Sequence, residues 1–297
     1  MNGLTNDYIY YHSKDEMDYT FRFYNNNFVI YSCYYFGIRF PFAFNHFIPT
    51  REGVTIGCFT LNGKEVTIRL PNRTFNGILN DDNTLNIFGE NGEEFKFKYF
   101  STKWKEDWFQ FQGIITQHQI KSLYHFTDRS NLSSIQRNGG LFSWQHCYEN
   151  NIIIPSPSGE ELSRSLDERY GLQDYVRVCF TKNHPMMYTA LNQRRISDPI
   201  ILEISSDVIY IEDTLFSNMN ATRRGHSIGG TLDHFNMIKF DIVLQETHFD
   251  IEDEMKKYYQ AEVLIKNHIP LSYITEIHEH VPTSRYSDYE DDYNRYF

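Results

Sequence analysis

The stretch that decides the fold runs from Ser122 to Gly140 and reads SLYHFTDRSNLSSIQRNGG. An apolar run ends at His125-Phe-Thr127, and the residues after it predict a short helix over Asn131–Asn138. Asp128 or Ser130 can cap the start of this helix, and the two final glycines supply its left-handed end. Taken alone, a histidine at the end of a strand is more often a structural residue than a ligand contact.

The 297 residues are enough for two ordinary domains, and the 40% hydrophobic content can build a core in each. No apolar run reaches the length of a membrane span, and the first residues lack the pattern of a secretory signal. We therefore expect a cytoplasmic protein. The four cysteines are far apart and form no cluster, so neither a disulfide framework nor a metal site is predicted.

The net charge of −11 at first argues against a nucleic-acid partner, because phosphate binding relies on lysine and arginine. The excess of acidic residues lies in the last fifth of the chain, however. The middle of the chain could still present a basic face.

Residues 1–118 are rich in short strand patterns separated by turn residues, which predicts an antiparallel β meander. The predicted strands are Tyr8–Tyr11, Tyr19–Tyr24, Phe28–Tyr35, Val54–Thr60, Glu65–Leu70, Thr84–Phe88 and Glu94–Tyr99. The alternation in Thr67–Leu70 and Phe95–Lys98 indicates one buried and one wet face. This domain is expected to bind a target or partner, for which RNA, a phage protein and an antitoxin all stay open.

Residues 119–282 mix strands and helices, and residues 283–297 form an acidic, aromatic tail. A helix with proline near its first turn is predicted over Pro185–Asn192, and a charged helix over Glu252–Tyr259. Strands are predicted over Pro199–Ile204, Phe240–Leu244 and Glu262–Ile265. The fold class is therefore α+β, with an antiparallel β-rich domain before a mixed α/β domain.

Three further pieces follow the His-Phe-Thr corner in order. They are LSRSLDERYGLQDYVRVCFTKNHPMMY (162–188), FSNMNAT (216–222) and YQAEVLIKNHIPLSYI (259–274). Together with the corner they resemble the DarT family of ADP-ribosyltransferase toxins, which modify bases in single-stranded DNA. The resemblance covers about residues 123–277 and implies that the mixed domain has an ADP-ribosyltransferase-like fold.

The resemblance implies that NAD is the co-substrate and that no metal takes part. It places His125, Phe126 and Thr127 at the nicotinamide end of NAD. An imidazole and a hydroxyl can fix ribose hydroxyls or the carboxamide, and the capped helix can offer N–H groups to phosphate. Further NAD contacts are implied for Ser134, Leu141 and Phe142.

Glu262 resembles the catalytic glutamate of the ADP-ribosyltransferases. Without the resemblance, Gln260-Ala-Glu262 is a carboxylate at the mouth of an apolar strand, for which a solvated strand end is the simpler interpretation. Cleavage of the bond between nicotinamide and ribose builds positive charge on the sugar. A carboxylate that holds the ribose 2′-hydroxyl stabilises this charge where it develops.

Arg164 falls where the family carries its second catalytic residue. A guanidinium can grip a diphosphate with two hydrogen bonds or orient a target base. The alternative is a surface arginine that pairs with Asp167 or Glu168 on a helix. Arg177 is a rival cation.

Substrate contacts are expected from His184, Arg223 and Arg224. Many family members that modify thymine carry an arginine before the Pro-Met of this segment, whereas this chain has Lys182-Asn-His-Pro185. The target base therefore stays open among thymine, guanine and adenine. His184 could transfer a proton or simply begin a helix. The arginine pair lies in a glycine-rich segment that could clamp nucleic acid or be a solvated loop.

The sequence thus predicts an enzyme that attaches ADP-ribose to a base of single-stranded nucleic acid, with DNA favoured over RNA. The resemblance implies a toxin of a toxin–antitoxin or phage-defence system and a cognate antitoxin. The alternatives are an RNA-modifying enzyme and a non-catalytic module that binds NAD or nucleic acid. The tail is either a disordered segment or a mimic of nucleic acid that occupies the groove.

Overall fold

The computed structural model describes residues 4, 8–14, 17–23, 27–35, 54–89, 91–101 and 105–280. They form an N-terminal barrel of strands and a larger part in which strands and helices mix. The fold class expected from the sequence is confirmed. The predicted tail over residues 283–297 lies outside the described residues.

The N-terminal part is a closed antiparallel barrel of eight strands. Consecutive strands pair with each other, and the first and last strands close the barrel with Tyr10 opposite Tyr99. The strands are β1 (Tyr8–Lys14), β2 (Met17–Phe23), β3 (Phe28–Tyr35), β4 (Val54–Asn62), β5 (Glu65–Leu70), β6 (Arg73–Leu79), β7 (Leu85–Phe88) and β8 (Glu94–Ser101). Each strand predicted from the sequence is present within a few residues, and β6 is an additional strand.

Alternating side chains fill the barrel. In β5, Val66, Ile68 and Leu70 are buried while the residues between them are exposed or half-buried. The rings of Phe21 and Phe97 meet inside the barrel with centroids 5.1 Å apart. The period of two predicted for these strands thus separates a packed interior from a wet outer face.

The second part contains a seven-stranded antiparallel sheet and a separate two-stranded sheet. The strands of the large sheet, in their order across it, are β14 (Ile228–Gly229), β13 (Leu215–Ser217), β15 (Glu262–Lys266), β11 (Tyr175–Cys179), β9 (Ser122–Asp128), β12 (Pro199–Ser205) and β17 (Ile274–Glu279). The small sheet pairs β10 (Gly140–Phe142) with β16 (His268–Pro270). Strands β9, with His125, and β15, with Glu262, are therefore separated only by β11.

The large sheet divides between β9 and β11. Whereas β9 pairs with β12 along its whole length and β11 does the same with β15, β9 and β11 pair at one position among the described residues, Tyr124 opposite Cys179. Beyond this pair the two strands diverge. The side chain of His125 bridges the gap, since its Nδ1 lies 2.9 Å from the carbonyl oxygen of Arg177.

The helices are α1 (Trp108–Gln117), α2 (Leu132–Asn138), α3 (Trp144–Glu149), α4 (Glu161–Tyr170), α5 (Pro185–Asn192), α6 (Leu232–Asn236), α7 (Phe240–Val243) and α8 (Asp253–Lys256). The predicted helix at α5 is confirmed. The predicted strand over Phe240–Leu244 is wrong, because this segment is the short helix α7 with Phe240, Ile242 and Val243 buried. A short apolar run does not distinguish a strand from a buried helical turn. Among the described residues, none of the helices has the length and apolar character that a bilayer span requires.

The segment between the barrel and β9 packs on the mixed part. Phe111 of α1 is fully buried and its ring lies 5.4 Å from the ring of Phe216. Before α1, the buried Lys105 donates from Nζ to three carbonyl oxygens at 2.8 to 2.9 Å, those of Glu212, Thr214 and Gly230. All three protons of this ammonium group are therefore used, and they fix both ends of the segment that contains β13 and β14. The domain boundary at residue 118 stays a prediction.

Candidate active site

A cavity of about 280 Å³ lies beside the gap between β9 and β11. Its wall is built from β9, α2, β10, α4, β11 and the start of β15. The volume is close to the lower end of ligand pockets, which hold roughly 300–1,000 Å³. The cavity brings together side chains from both ends of the mixed part, including His125 and Glu262.

Glu262 is the first residue of β15, and its side chain is buried in the wall of the cavity. The strand position is fixed on both sides, because Glu262 pairs with Cys179 of β11 and with Ser217 of β13. Its Oε2 accepts hydrogen bonds from Nη1 of Arg177 at 3.0 Å and from the backbone N–H of Ala221 at 2.7 Å. Among the described residues, no hydrogen bond reaches Oε1, so this oxygen is available to a ligand.

Arg177 joins Glu262 to a second buried acid, Asp167 of α4. Burial raises the pKa of Asp167 and the charge of Glu262 adds to this, while Arg177 opposes both. Burial disfavours the charge on Arg177, but the two carboxylates outweigh it and raise the pKa of the guanidinium. The guanidinium therefore stays charged and holds Glu262 in a single position.

His125 is neutral and has a defined tautomer. Burial lowers its pKa, and the hydrogen bond to the Arg177 carbonyl only partly offsets this. A carbonyl oxygen accepts, so Nδ1 carries the proton and donates to it. The other ring nitrogen, Nε2, is then an acceptor, which suits a ligand hydroxyl or amide.

Phe126 and Thr127 also line the cavity. The Phe126 ring is nearly parallel to the ring of His184, with centroids 6.1 Å apart. The Thr127 hydroxyl accepts a hydrogen bond from the amide of Asn131 at 2.9 Å. The three residues of the corner predicted from the sequence therefore line the same cavity, and Asn131 orients the hydroxyl of Thr127.

A single 3-10 turn, Arg129–Asn131, lies between this corner and α2. The carboxylate of Asp128 accepts from the N–H of Ser130 at 2.9 Å and from two N–H groups before β12. Asp128, one of the two alternatives, caps the 3-10 turn Arg129–Asn131 that precedes the helix, whereas Asn131, at the start of α2 itself, makes no side-chain capping bond. The left-handed end at Gly139 is confirmed with φ of 86°. In this turn the carboxylate takes the N–H of Ser130, and the start of α2 has no side-chain cap, so the expected contact of its N–H groups with phosphate stays a prediction.

Ser134, Leu141 and Phe142 lie in the cavity wall as well. The Ser134 hydroxyl donates to the carbonyl oxygen of Ile153 at 2.6 Å, which ties α2 to the loop that follows α3. Leu141 is buried and Phe142 is half-buried in β10. Their roles as NAD contacts stay predictions.

Arg164 lines the cavity from α4, and its guanidinium lies 5.7 Å from the ring of Trp144. It is exposed, and the cation bonded to Glu262 is Arg177. The alternative partner considered for Arg164, Asp167, pairs instead with Arg177. A catalytic role of Arg164 stays a prediction, and Arg177 has the more direct contact with the catalytic candidate.

His184 is a buried residue that caps α5 through Nδ1, which accepts from the N–H of Met186 at 3.3 Å. Burial, with the charges of Arg177 and His248, lowers its pKa to about 3. The helix-starting alternative is thus confirmed. A base this weak does not support a role in proton transfer near neutral pH.

Arg223 and Arg224 lie after Ala221 in the turn that leads to β14. Neither lines the cavity as described. Arg224 is exposed and Arg223 is half-buried. The N–H bond from Ala221 to Glu262 nevertheless fixes the start of this turn at the rim of the cavity.

Three groups that contribute to the site were not predicted from the sequence. Asp167 was considered only as a surface partner, and neither Asn131 nor the N–H of Ala221 was singled out. The signal available was the alternation in YVRVC, which places Arg177 on the same face of β11 as Tyr175 and Cys179. The partner across the sheet depends on pairing between distant segments.

One group of potential metal ligands exists among the described residues, formed by Glu203, Glu276 and His278. His278 already lies 2.6 Å from Glu203, and the ammonium group of Lys182 lies 3.8 Å from the same carboxylate. A resident lysine competes with a metal ion for the same charge, so the group is better explained as an ion-pair network.

In one cavity, a buried glutamate held by an arginine and a neutral histidine can bind a sugar and stabilise positive charge that develops on it. The model of the family described as "ssDNA thymidine ADP-ribosyltransferase, DarT" matches residues 124–284. This is more than half of the chain, and the chain belongs to the DarT family. It is thus an NAD-dependent nucleic-acid ADP-ribosyltransferase with NAD as co-substrate.

Solved structures provide distant likenesses. DarT from Thermus sp. 2.9 in complex with ADP-ribosylated ssDNA is 17% identical, with a TM-score of 0.44 over 60% of this chain and 90% of that chain. The same protein with NAD+ is 18% identical, with a TM-score of 0.42 over the same shares. DarTG from Thermosipho africanus in complex with ADP-ribose is 21% identical, with a TM-score of 0.46 over 59% of this chain and 47% of that chain. No curated protein matches the chain.

Proposed function

We propose that the protein transfers ADP-ribose from NAD to a base of single-stranded DNA, with Glu262 as the catalytic carboxylate. The observation that carries the proposal is the buried position of Glu262, with Oε2 held by two donors and Oε1 available in the same cavity as His125. An acid that is held in place and partly shielded from water stabilises a developing cation strongly.

The reaction breaks the bond between the nicotinamide nitrogen and C1′ of the ribose. Nicotinamide leaves as a neutral molecule with the bonding electrons, and C1′ becomes cationic. Oε1 of Glu262 accepts a hydrogen bond from the ribose 2′-hydroxyl and stabilises this cation. A ring nitrogen of the base then attacks C1′ and releases its proton to water.

The NAD end of the site is assigned to the His125–Thr127 corner. Neutral Nε2 of His125 accepts from a ribose hydroxyl or the carboxamide, and the Thr127 hydroxyl lies next to it in the wall. Phe126, Ser134, Leu141 and Phe142 contribute the remaining contacts. Arg164 is assigned to the diphosphate, which its exposed position beside Trp144 in the cavity wall supports.

The acceptor is assigned to the turn after Ala221. Because the N–H of Ala221 bonds Glu262, the turn starts next to the reacting carbon. Arg223 and Arg224 follow within three residues and supply positive charge for the phosphates of the strand. The family description favours thymine as the acceptor base, while His184 is assigned to shaping the base pocket and capping α5.

The setting proposed for this activity is a toxin–antitoxin or phage-defence system of the cytoplasm. A DNA base that carries ADP-ribose blocks copying of the strand, so the host requires a partner that removes the mark or covers the site. The N-terminal barrel is assigned to binding of a target or of that antitoxin.

The test is incubation of the purified full chain with labelled NAD and equal amounts of single-stranded DNA, duplex DNA, RNA and a protein mixture. We expect label on single-stranded DNA, and mass spectrometry of digested nucleosides then identifies the base. Label on RNA alone would show that RNA, and not DNA, is the acceptor. No label on any acceptor, with intact NAD, would contradict the proposal and favour the non-catalytic module.

A further inference from the structure

The barrel contacts one wall of the cavity through Tyr11 of β1. This tyrosine is buried and packs with the core of the mixed part rather than with the interior of the barrel. Its ring lies against Gly139, where a Cβ would overlap the ring. Gly139 has a φ of 86°, so both its backbone conformation and this close contact require glycine.

From this contact a stack of rings leads to the cavity. The Tyr11 ring lies 5.1 Å from the ring of His268 in β16. His268 pairs with Phe142 of β10, and the two rings are nearly parallel, with centroids 3.9 Å apart. His268 also donates from Nε2 to the carbonyl oxygen of Gly139 at 3.2 Å. Phe142 is the end of the stack that faces the cavity.

The barrel also places a cation next to Phe142. Nζ of Lys98 in β8 lies 5.8 Å from the centre of the Phe142 ring. Burial lowers the pKa of His268 well below its usual value, and burial with Lys98 lowers the pKa of His146, whose ring is also parallel to Phe142. Both imidazoles are thus neutral, and they do not repel the ammonium group.

We propose that Tyr11 and Lys98 are positioning residues through which the barrel holds the Phe142 wall of the NAD site. This inference rests on the proposed function, because it takes the cavity to be the NAD site. Within the part of the chain that the structure describes, β10 and β16 are three residues each and form backbone pairs with each other and not with the large sheet, so they lack its hydrogen-bond support. The barrel supplies that support, so its folding and the shape of the NAD site are coupled.

The test compares the full-length parent with Tyr11→Ala, Tyr11→Phe and Lys98→Met in calorimetric titrations with NAD. Tyr11→Ala is expected to raise the Kd for NAD about three- to tenfold, and Tyr11→Phe to leave it unchanged. Lys98→Met is expected to raise it about two- to fivefold. The matched controls Tyr99→Ala and Lys64→Met change an exposed tyrosine and an exposed lysine of the barrel and should bind NAD like the parent.

A general loss of structure would weaken the binding of every ligand. The Kd of each variant for single-stranded DNA is therefore measured as well, and it should stay within about twofold of the parent value. If Tyr11→Ala fails to fold, Lys98→Met decides, because its side chain lies at the surface. A parent that binds NAD together with variants that bind it equally well would overturn the inference alone. A parent that does not bind NAD would overturn the proposed function as well.

Discussion

Replacement of Glu262 by glutamine should remove catalysis while it preserves the shape of the site. The amide oxygen of the variant can occupy the place of Oε2 and keep both hydrogen bonds, from Arg177 and from the Ala221 N–H. The opposite orientation would set an NH2 group against two donors. The NH2 group is therefore directed to the cavity, where it cannot accept a hydrogen bond from the ribose 2′-hydroxyl.

The substitution is expected to weaken stabilisation of the transition state and to leave binding of NAD in the ground state nearly unchanged. Removal of one group that stabilises developing charge lowers kcat about 10²- to 10³-fold, or roughly 3–4 kcal/mol. The KM for NAD should change less than about threefold, because binding of the ground state does not require the negative charge. The assay is the initial rate of label transfer to single-stranded DNA over a range of NAD concentrations. Glu94→Gln, a change of an exposed carboxylate on the barrel, is the control. A Glu262→Gln enzyme with the kcat of the parent would refute the reasoning.

Three further changes test other parts of the structure. Arg177→Met leaves two buried carboxylates without their cation and should cost about 3–5 kcal/mol of the free energy of unfolding, measured with urea; a loss below 1 kcal/mol would contradict a structural ion pair. Lys105→Met leaves three carbonyl oxygens without their donor and should cost about 2–4 kcal/mol in the same assay, whereas an unchanged midpoint would show that water replaces the ammonium. The pKa of His184 is about 3 in the folded state and 6.5 in its ordinary environment. Between these pH values the unfolded state binds a proton that the folded state does not bind. The free energy of unfolding therefore falls as pH decreases through this window, by up to about 1.4 kcal/mol per pH unit. His184→Asn keeps a capping oxygen and should flatten that slope; equal slopes in both proteins would place the acid sensitivity elsewhere.

The sequence predicted features that depend on neighbouring residues. The strand end at His125–Thr127 and the left-handed helix end at Gly139 follow from local chemistry, and the structure has both. Asp128 caps the short turn before the helix instead of the helix itself. The joint presence of His125 and Glu262 in one cavity followed from a resemblance, since 137 positions of chain separate them. Periodicity alone would not have brought them together.

Features that depend on distant pairing were not predictable in the same way. Closure of the barrel requires β1 to pair with β8, and no local pattern specifies that contact. The choice of Arg177 over Arg164 as the partner of Glu262 depends on the register that sets Cys179 opposite Glu262. The helix at Phe240 replaced a predicted strand because so short an apolar run has no period that separates a strand from a buried helical turn.

Among the described residues, β9 and β11 share one backbone pair, Tyr124 with Cys179, so few backbone hydrogen bonds join the two halves of the large sheet. Separation of β9 from β11 would break little secondary structure, because β9 stays paired with β12 and β11 stays paired with β15 along their whole lengths. The thiol of Cys179 lies between two carbonyl oxygens, that of Thr181 at 3.1 Å and that of Tyr124 at 3.3 Å, and burial raises its pKa to about 12. A thiol that is buried and protonated resists alkylation, so the rate at which iodoacetamide modifies Cys179 reports how often β9 and β11 separate.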